Sequence, residues 1–360
     1  MKRVFVSDCE GPLTRNDNAY ELAKHFVPEG DKVFAIISKY DDVLADVVKR
    51  PGYNPGDTLK LILPFLRAFN VTDRKMQEFS AQTLTLIPGT KVTLQHIKSL
   101  TDAFIVSTSY EHYIKALCDY AKFSFENTYC TRLNLDKYIV SAEEKTKLKS
   151  IAKEIATMPM ITIPPETRLS EDLSNRDQET VKRLDHIFWK LISAMKISRI
   201  FSEVTPVGGE QKAAAIRDII KKLQLPLSSV MYVGDSITDL QAFQLVRCGG
   251  GLTVSFNGNS YAVRNAEVAV QAENNLVTAV LADVFSNYGK AKAIELVETW
   301  NPRDLKNSVA TQAILKRLLT ICTNGLPNVQ TVTSKNVEAL SKESSEFRKK
   351  VRGEAVGKLG

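Results

Sequence analysis

The sequence is short of the residues that build soft-metal and disulfide sites. Its 360 residues include only five cysteines (Cys9, Cys118, Cys130, Cys248 and Cys322), and no two of them form a C-x-x-C pair. An odd, scattered set argues against a disulfide framework or a cysteine–zinc site, and fits a reducing, cytoplasmic setting. Histidine is equally sparse. His25, His96, His112 and His186 make no ligand pair at helical spacing, which removes histidine-based zinc chemistry from consideration. Long apolar runs are missing too. The opening Val4-Phe5-Val6 run is far too short for a signal peptide or a span, and no later stretch reaches the ~18 apolar residues that a membrane helix needs.

What the chain has is an ordinary globular balance, with 44% hydrophobic and 25% charged residues, enough to bury a sizeable core. The formal charge of +7 is uneven, because residues 290–360 hold 13 Lys/Arg against 7 Asp/Glu. That excess would suit an acidic partner. The basic residues are mixed with acids and lack interleaved aromatics, so a solvated helical tail is the expectation and nucleic acid is not the expected partner. A protein partner is expected to dock, if anywhere, through this tail or through the helical segment at 141–200.

Residues 3–7 read as a short buried strand that ends at Asp8, with Gly11-Pro12 breaking it. Residues 15–85 read as mainly helical, with a bend at Pro64 and Thr72 as an N-cap. Helices are expected at 90–100 and 111–121, with a strand at 103–106 between them closed by Ser107-Thr108-Ser109. Residues 141–200 interrupt this rhythm. There Val181, Leu184, Phe188, Leu191 and Met195 mark a strongly amphipathic helix, expected to form a helical hairpin resting on the core. The alternation then resumes with a helix at 212–223 and strands at 230–233, 252–256 and 268–270. Short apolar strands alternating with helices predict an α/β fold with a parallel sheet sandwiched by helices. Residues 328–345, rich in Ser, Thr, Asn and Lys, are expected to be mobile.

Four polar features fall at strand ends or helix starts, where an open parallel sheet forms its ligand crevice. Asp8 follows the first strand, with Glu10 two residues on. Ser107 closes the 103–106 strand and can donate to a phosphoryl oxygen. Lys212 lies near a helix start after Gly208-Gly209-Glu210, where an ammonium suits a dianion. Asp235 and Asp239, in Gly234-Asp235-Ser236-Ile237-Thr238-Asp239, lie one helical turn apart and offer the oxygen ligands that Mg²⁺ requires. Each feature alone is a common cap or turn. The ordered set carries far more weight than any member. Cys9, between the two acids, should point away from the site as a packed small residue.

This ordered set resembles the haloacid dehalogenase (HAD) superfamily, with Asp8 and Glu10, Ser107, Lys212, and Asp235 with Asp239 at its four motifs. Ile87-Pro88-Gly89, Ile105-Val106-Ser107 and Leu252-Thr253-Val254-Ser255-Phe256-Asn257 are similar to its phosphoserine phosphatase branch. The resemblance implies a Rossmann-like core from residues 1–14 and 86–282, a helical cap at 15–85, an extra helical insertion at 141–200, and a helical to polar basic tail at 283–360. It also implies a Mg²⁺-dependent phosphohydrolase acting on a small phosphorylated metabolite through an aspartyl-phosphate on Asp8. Catalysis would fall to Asp8, Glu10 and Lys212, phosphate binding to Ser107 and Lys212, and metal binding to Asp8, Glu10, Asp235 and Asp239. Arg15, Lys24, Arg50 and Arg67 of the cap segment are candidates for reading an acidic substrate. One departure stands out. The family's phosphatases carry Asp where this chain has Glu10, whose extra methylene moves the carboxyl. Together with the 141–200 insertion and the basic tail, it motivates the alternative reading of a weakly active or non-catalytic regulatory or binding subunit of a larger complex on the same scaffold.

Overall fold

The structure is a computed structural model that describes residues 2–164, 166–322 and 325–357. Position 165 and the last three residues of the tail lie outside the described residues. Seven strands form one sheet: β1 (Val4–Ser7), β2 (Asp102–Tyr110), β3 (Thr128–Thr131), β4 (Val230–Gly234), β5 (Leu252–Phe256), β6 (Val268–Gln271) and β7 (Asn328–Thr331). Their order is β3-β2-β1-β4-β5-β6-β7. The first six run parallel and only β7 pairs antiparallel, on β6. This is the doubly wound order, whose crevice opens where the winding reverses on either side of β1. The register puts Ser7 level with both Ile105 and Val233, so the carboxyl ends of β1, β2 and β4 meet at one edge.

The strands are near-continuous apolar runs because helices cover both faces. One face buries Phe5, Ile105 and Val254 under helices that include Thr90–Leu100 and Leu276–Tyr288. The other buries Val4, Val6 and Tyr232 under Glu210–Leu223 and Leu240–Cys248. Cys9 is buried in the first of these clusters, as its position in the alternation implies. No helix among the described residues is long and apolar enough to cross a membrane.

A second apolar cluster sits over the strand ends. It contains residues of the helices Asn18–Phe26, Gly30–Asp42 and Thr58–Ala68, together with those of Ala142–Ala156 and Asn175–His186. Thr72 caps Asp73–Thr83 through its side chain, as expected. The 141–200 segment does not rest on the sheet layer. Its stripe of Val181, Leu184, Phe188 and Ile192 meets the stripe of Val33, Ile37, Tyr40 and Leu44 instead. Phe188 stacks on Tyr40 with ring centroids 5.8 Å apart and meets Phe65 edge-on at 6.2 Å. Each stripe is half a core, so the two segments bury one another. Tyr40 Oη also donates to Asp185 at 2.5 Å and accepts from Trp189 Nε1 at 2.8 Å.

The tail differs from its expected mobility. Residues 328–331 extend the sheet as β7, and Val337–Arg352 is a helix packed on the core. Its buried face is Leu340, Ser341, Ser344 and Arg348, which carries too little apolar character to read as a buried stripe in sequence.

Phe188 is fully buried and joins the two helical segments. Phe188→Ala should therefore cost about 3–5 kcal/mol of stability, as a large cavity does. Urea denaturation checks this, and a loss below about 1 kcal/mol would mean that the segments are not mutually supporting.

Candidate active site

Asp8 leaves β1 with its main-chain N–H donating to Val233 O at 2.8 Å, which ties it to the end of β4. Its carboxylate is held at both oxygens. Oδ1 accepts from Cys9 N at 2.6 Å, and Oδ2 accepts from Lys212 Nζ at 2.6 Å. Lys212 is fully buried in the first turn of Glu210–Leu223. The start of that helix is pinned where Gly209 N donates to Thr238 O at 2.9 Å. Nζ also donates to Asp239 Oδ1 at 2.7 Å and to Thr238 Oγ1 at 3.1 Å. Burial alone would lower this ammonium, but Asp239 and Asp8 outweigh it and raise it above the ordinary lysine range.

The geometry brings all six sequence candidates to one place, but it divides the acids. Asp8, Asp235 and Asp239 each present a carboxylate oxygen within 4.8 Å of the others. Asp239 is bonded at both oxygens. Oδ1 already accepts from Lys212 and from Tyr232 Oη at 2.5 Å, and Oδ2 accepts from the N–H groups of Asp235 and Ser236 at 2.9 and 3.0 Å. Asp239 thus serves Lys212, Tyr232 and the backbone from within the same three-carboxylate cluster as Asp8 and Asp235. The turn Ile237–Asp239 directs both of its oxygens to Lys212, Tyr232 and the backbone. A cluster of hard carboxylates completed by water fits Mg²⁺. Gly11 makes this approach possible. Its φ is +100° and a Cβ there would strike Asp235 Oδ2, so only glycine fits.

Glu10 also faces the cavity, where its carboxylate accepts from Asn18 N at 2.7 Å. Burial, reinforced by Asp17 and opposed by the Asn18 N–H and Arg352, pushes its carboxyl well above the usual range. Burial likewise pushes Asp8 up to about 7, with Lys212 opposing and Asp239 and Asp235 adding to the rise. Ser107 is buried at the cavity wall, its hydroxyl donating to Ser109 Oγ at 3.1 Å and accepting from Ser109 N at 3.3 Å. The cavity measures about 90 Å³, small beside the ~300–1,000 Å³ of drug-sized sites. Ser38, Asp41 and Thr58 of the helical layer form its roof.

The cap cations proposed from sequence do not reach it. Arg15, Lys24, Arg50 and Arg67 are all absent from the cavity wall. Arg67 donates to Tyr138 O at 2.9 Å, and Arg50 lies over the Trp189 ring at 4.1 Å. The cations that do line the cavity are Arg348 and Arg352 of the tail helix, which sequence reasoning missed. Arg348 pairs with the Asp235 carboxylate, and Arg352 bonds Asp235 Oδ2 at 3.1 Å. The available signal was their four-residue spacing after Leu340 and Ser344, one face of a helix.

The family model of haloacid dehalogenase-like hydrolases matches residues 89–283. The chain belongs to this family. Among solved structures, this family member is similar to a gene product of Archaeoglobus fulgidus, with a TM-score of 0.79 and 24% identity. That alignment covers 100% of this chain and 99% of the other. A substrate-bound phosphoserine phosphatase aligns with a TM-score of 0.46 at 13% identity, over 76% of this chain and 95% of that one. No curated protein matches the sequence.

Asp41 gives a pH test of the roof. Burial pushes its carboxyl from the ordinary 3.8 up to about 8, the Tyr53 hydroxyl opposing and Asp42 and Asp57 adding. The folded value lies above the unfolded one, so its contribution to stability is full below about pH 4 and is lost as pH rises through about 8. The stability of Asp41→Asn relative to wild type should therefore climb steadily between those limits. Denaturant titrations across this window check it, and a flat difference would contradict a neutral Asp41.

Proposed function

We propose that the protein is a phosphomonoesterase that hydrolyses a small phosphorylated metabolite by way of an aspartyl-phosphate on Asp8. The observation that carries this reading is the buried Lys212 ammonium bridging Asp8 Oδ2 and Asp239 Oδ1 at 2.6 and 2.7 Å, behind the Asp8 carboxylate that lines a small cavity. A strand-end carboxylate beside a buried cation suits in-line attack on a phosphate dianion, whose charge must be offset as it transfers.

In the first step an Asp8 oxygen forms a bond to phosphorus while the ester P–O bond breaks. The leaving oxygen takes a proton from Glu10, whose protonated form burial favours. In the second step a water attacks phosphorus. Glu10, now ionised, accepts its proton, the Asp8–phosphorus bond breaks, and inorganic phosphate is released. Lys212 and Ser107 bind the transferring oxygens, and Asp239 with Tyr232 holds Lys212 in place. The carboxylates of Asp8 and Asp235 and the carbonyl of Glu10 would hold Mg²⁺, which when bound supplies positive charge between nucleophile and phosphate. The sequence stretches around Ile87-Pro88-Gly89 and Leu252–Asn257 favour the phosphoserine phosphatase-like branch. The small cavity fits a compact substrate.

A specific observation also supports a second reading, that of a non-catalytic regulatory subunit. One oxygen of the Glu10 carboxylate is already engaged by Asn18 N, at 2.7 Å. Phosphate release separates the two. Wild type with Mg²⁺ should hydrolyse an aryl phosphate or a member of a metabolite panel, and EDTA should stop the reaction until Mg²⁺ is restored. Asp8→Asn should lower the rate by ~10³-fold or more. Retained turnover in that variant would remove Asp8 as the nucleophile, and no release from any substrate would favour the regulatory reading.

A further inference from the structure

The tail helix Val337–Arg352 reaches the centre of the site, although it lies far from every family motif in sequence. It is anchored along its length. Leu340 packs with Val263 and Ala269, Ser344 Oγ donates to Gly258 O at 2.6 Å, and Arg264 pairs with Glu338. These contacts deliver Arg348, 3% exposed, and Arg352 to Asp235. Arg352 is held in turn, because Nε donates to Arg15 O at 3.0 Å and a terminal nitrogen donates to Asn16 O at 2.7 Å. The helix end is therefore fastened to the segment that follows Asp8 and Glu10 as well as to β4.

Both guanidinium groups bond the same Asp235 oxygen, Oδ2. The turn at Gly11 closes against the same carboxylate, where a Cβ would strike both of its oxygens. This carboxylate is thus held in orientation by two cations and a main-chain turn. Mg²⁺ demands near-octahedral geometry at about 2.0–2.1 Å and takes few carboxylates, so the orientation of each ligand counts heavily. Groups that hold a ligand from behind commonly change metal affinity by about 10–100-fold when removed.

From this geometry we infer that Arg348 and Arg352 are positioning residues for the metal carboxylate, and that the tail helix is a working part of the site. They fix the Asp235 carboxylate from behind, so that its orientation toward the divalent cation is set by the tail helix. The inference rests on the Mg²⁺ site of the proposed function and extends it to a segment that supplies no ligand itself. It also separates two opposite consequences. Positioning means that losing an arginine weakens Mg²⁺ binding, whereas simple repulsion between cations means that losing one strengthens it.

Isothermal titration of the full chain with MgCl₂ decides between them. Arg348→Gln and Arg352→Gln should each bind Mg²⁺ about tenfold or more weakly than wild type. Arg348→Lys, which keeps the charge without the planar fork, should fall between. Lys342→Gln, the same charge change on the exposed face of the helix, should leave the affinity within about twofold. Thermal melts without metal accompany each titration, and if Arg348→Gln does not fold, Arg352→Gln carries the same prediction. Equal or tighter binding in the glutamine variants would overturn the inference. So would a lowered melting temperature with unchanged Mg²⁺ affinity, since the arginines would then only tie the helix down. No uptake by wild type would remove the metal site along with it. Uptake by wild type with unchanged variants would remove this inference alone.

Discussion

The buried ammonium of Lys212 is the charge around which the site is assembled. A lysine with no exposed surface pays heavily in lost hydration unless anions and acceptors surround it. Here Asp8, Asp239 and Thr238 supply them, each within 3.1 Å. The arrangement works in both directions. Asp8 and Asp239 keep Lys212 charged, and Lys212 opposes the burial that raises Asp8. Removing either partner would leave an uncompensated charge beneath the cavity, so this triad couples the end of β1, the end of β4 and the start of Glu210–Leu223. The sheet register, which levels Ser7 with Val233, is what allows it.

A second constraint is the shared apolar face above the site. Residues 15–85 and 141–200 leave the sheet layer at separate points, and each carries half of one core. Because they bury each other, the roof residues Ser38, Asp41 and Thr58 are held at a fixed height over Asp8. The roof is acidic and the tail helix is basic where each meets the cavity. Asp41 is pushed toward its neutral form by burial, while Arg348 and Arg352 engage Asp235. The cationic contribution to the pocket thus comes from the last helix and Lys212 and not from the helical layer.

Much of this was legible in the sequence because local periodicity carries it. Apolar runs broken by Asp8, Ser107 and Asp235 mark strand ends, and the amphipathic stripe through Phe188 marks its helix. What sequence could not show is what a surface meets. The stripe at 141–200 told that a partner was needed, not that the partner was the 15–85 helices. The spacing of Asp235 and Asp239 read as two carboxylates on one helical face, and only the turn at Ile237–Asp239 shows that Asp239 also holds Lys212, Tyr232 and the backbone. Arg348 and Arg352 were hidden for a different reason. Their helix buries Ser341 and Ser344 beside Leu340, so its polar face reads as a solvated tail until the tertiary contacts with Gly258 and Asp235 are seen.

The central claim is that Asp8 carries the phosphoryl group during turnover. Mass spectrometry of protein quenched in acid during steady-state hydrolysis tests it most directly. The account predicts a phosphoryl adduct on the peptide that contains Asp8, lost on treatment with base and absent without substrate. Phosphate release with no adduct on that peptide, or with the adduct on another residue, would contradict it.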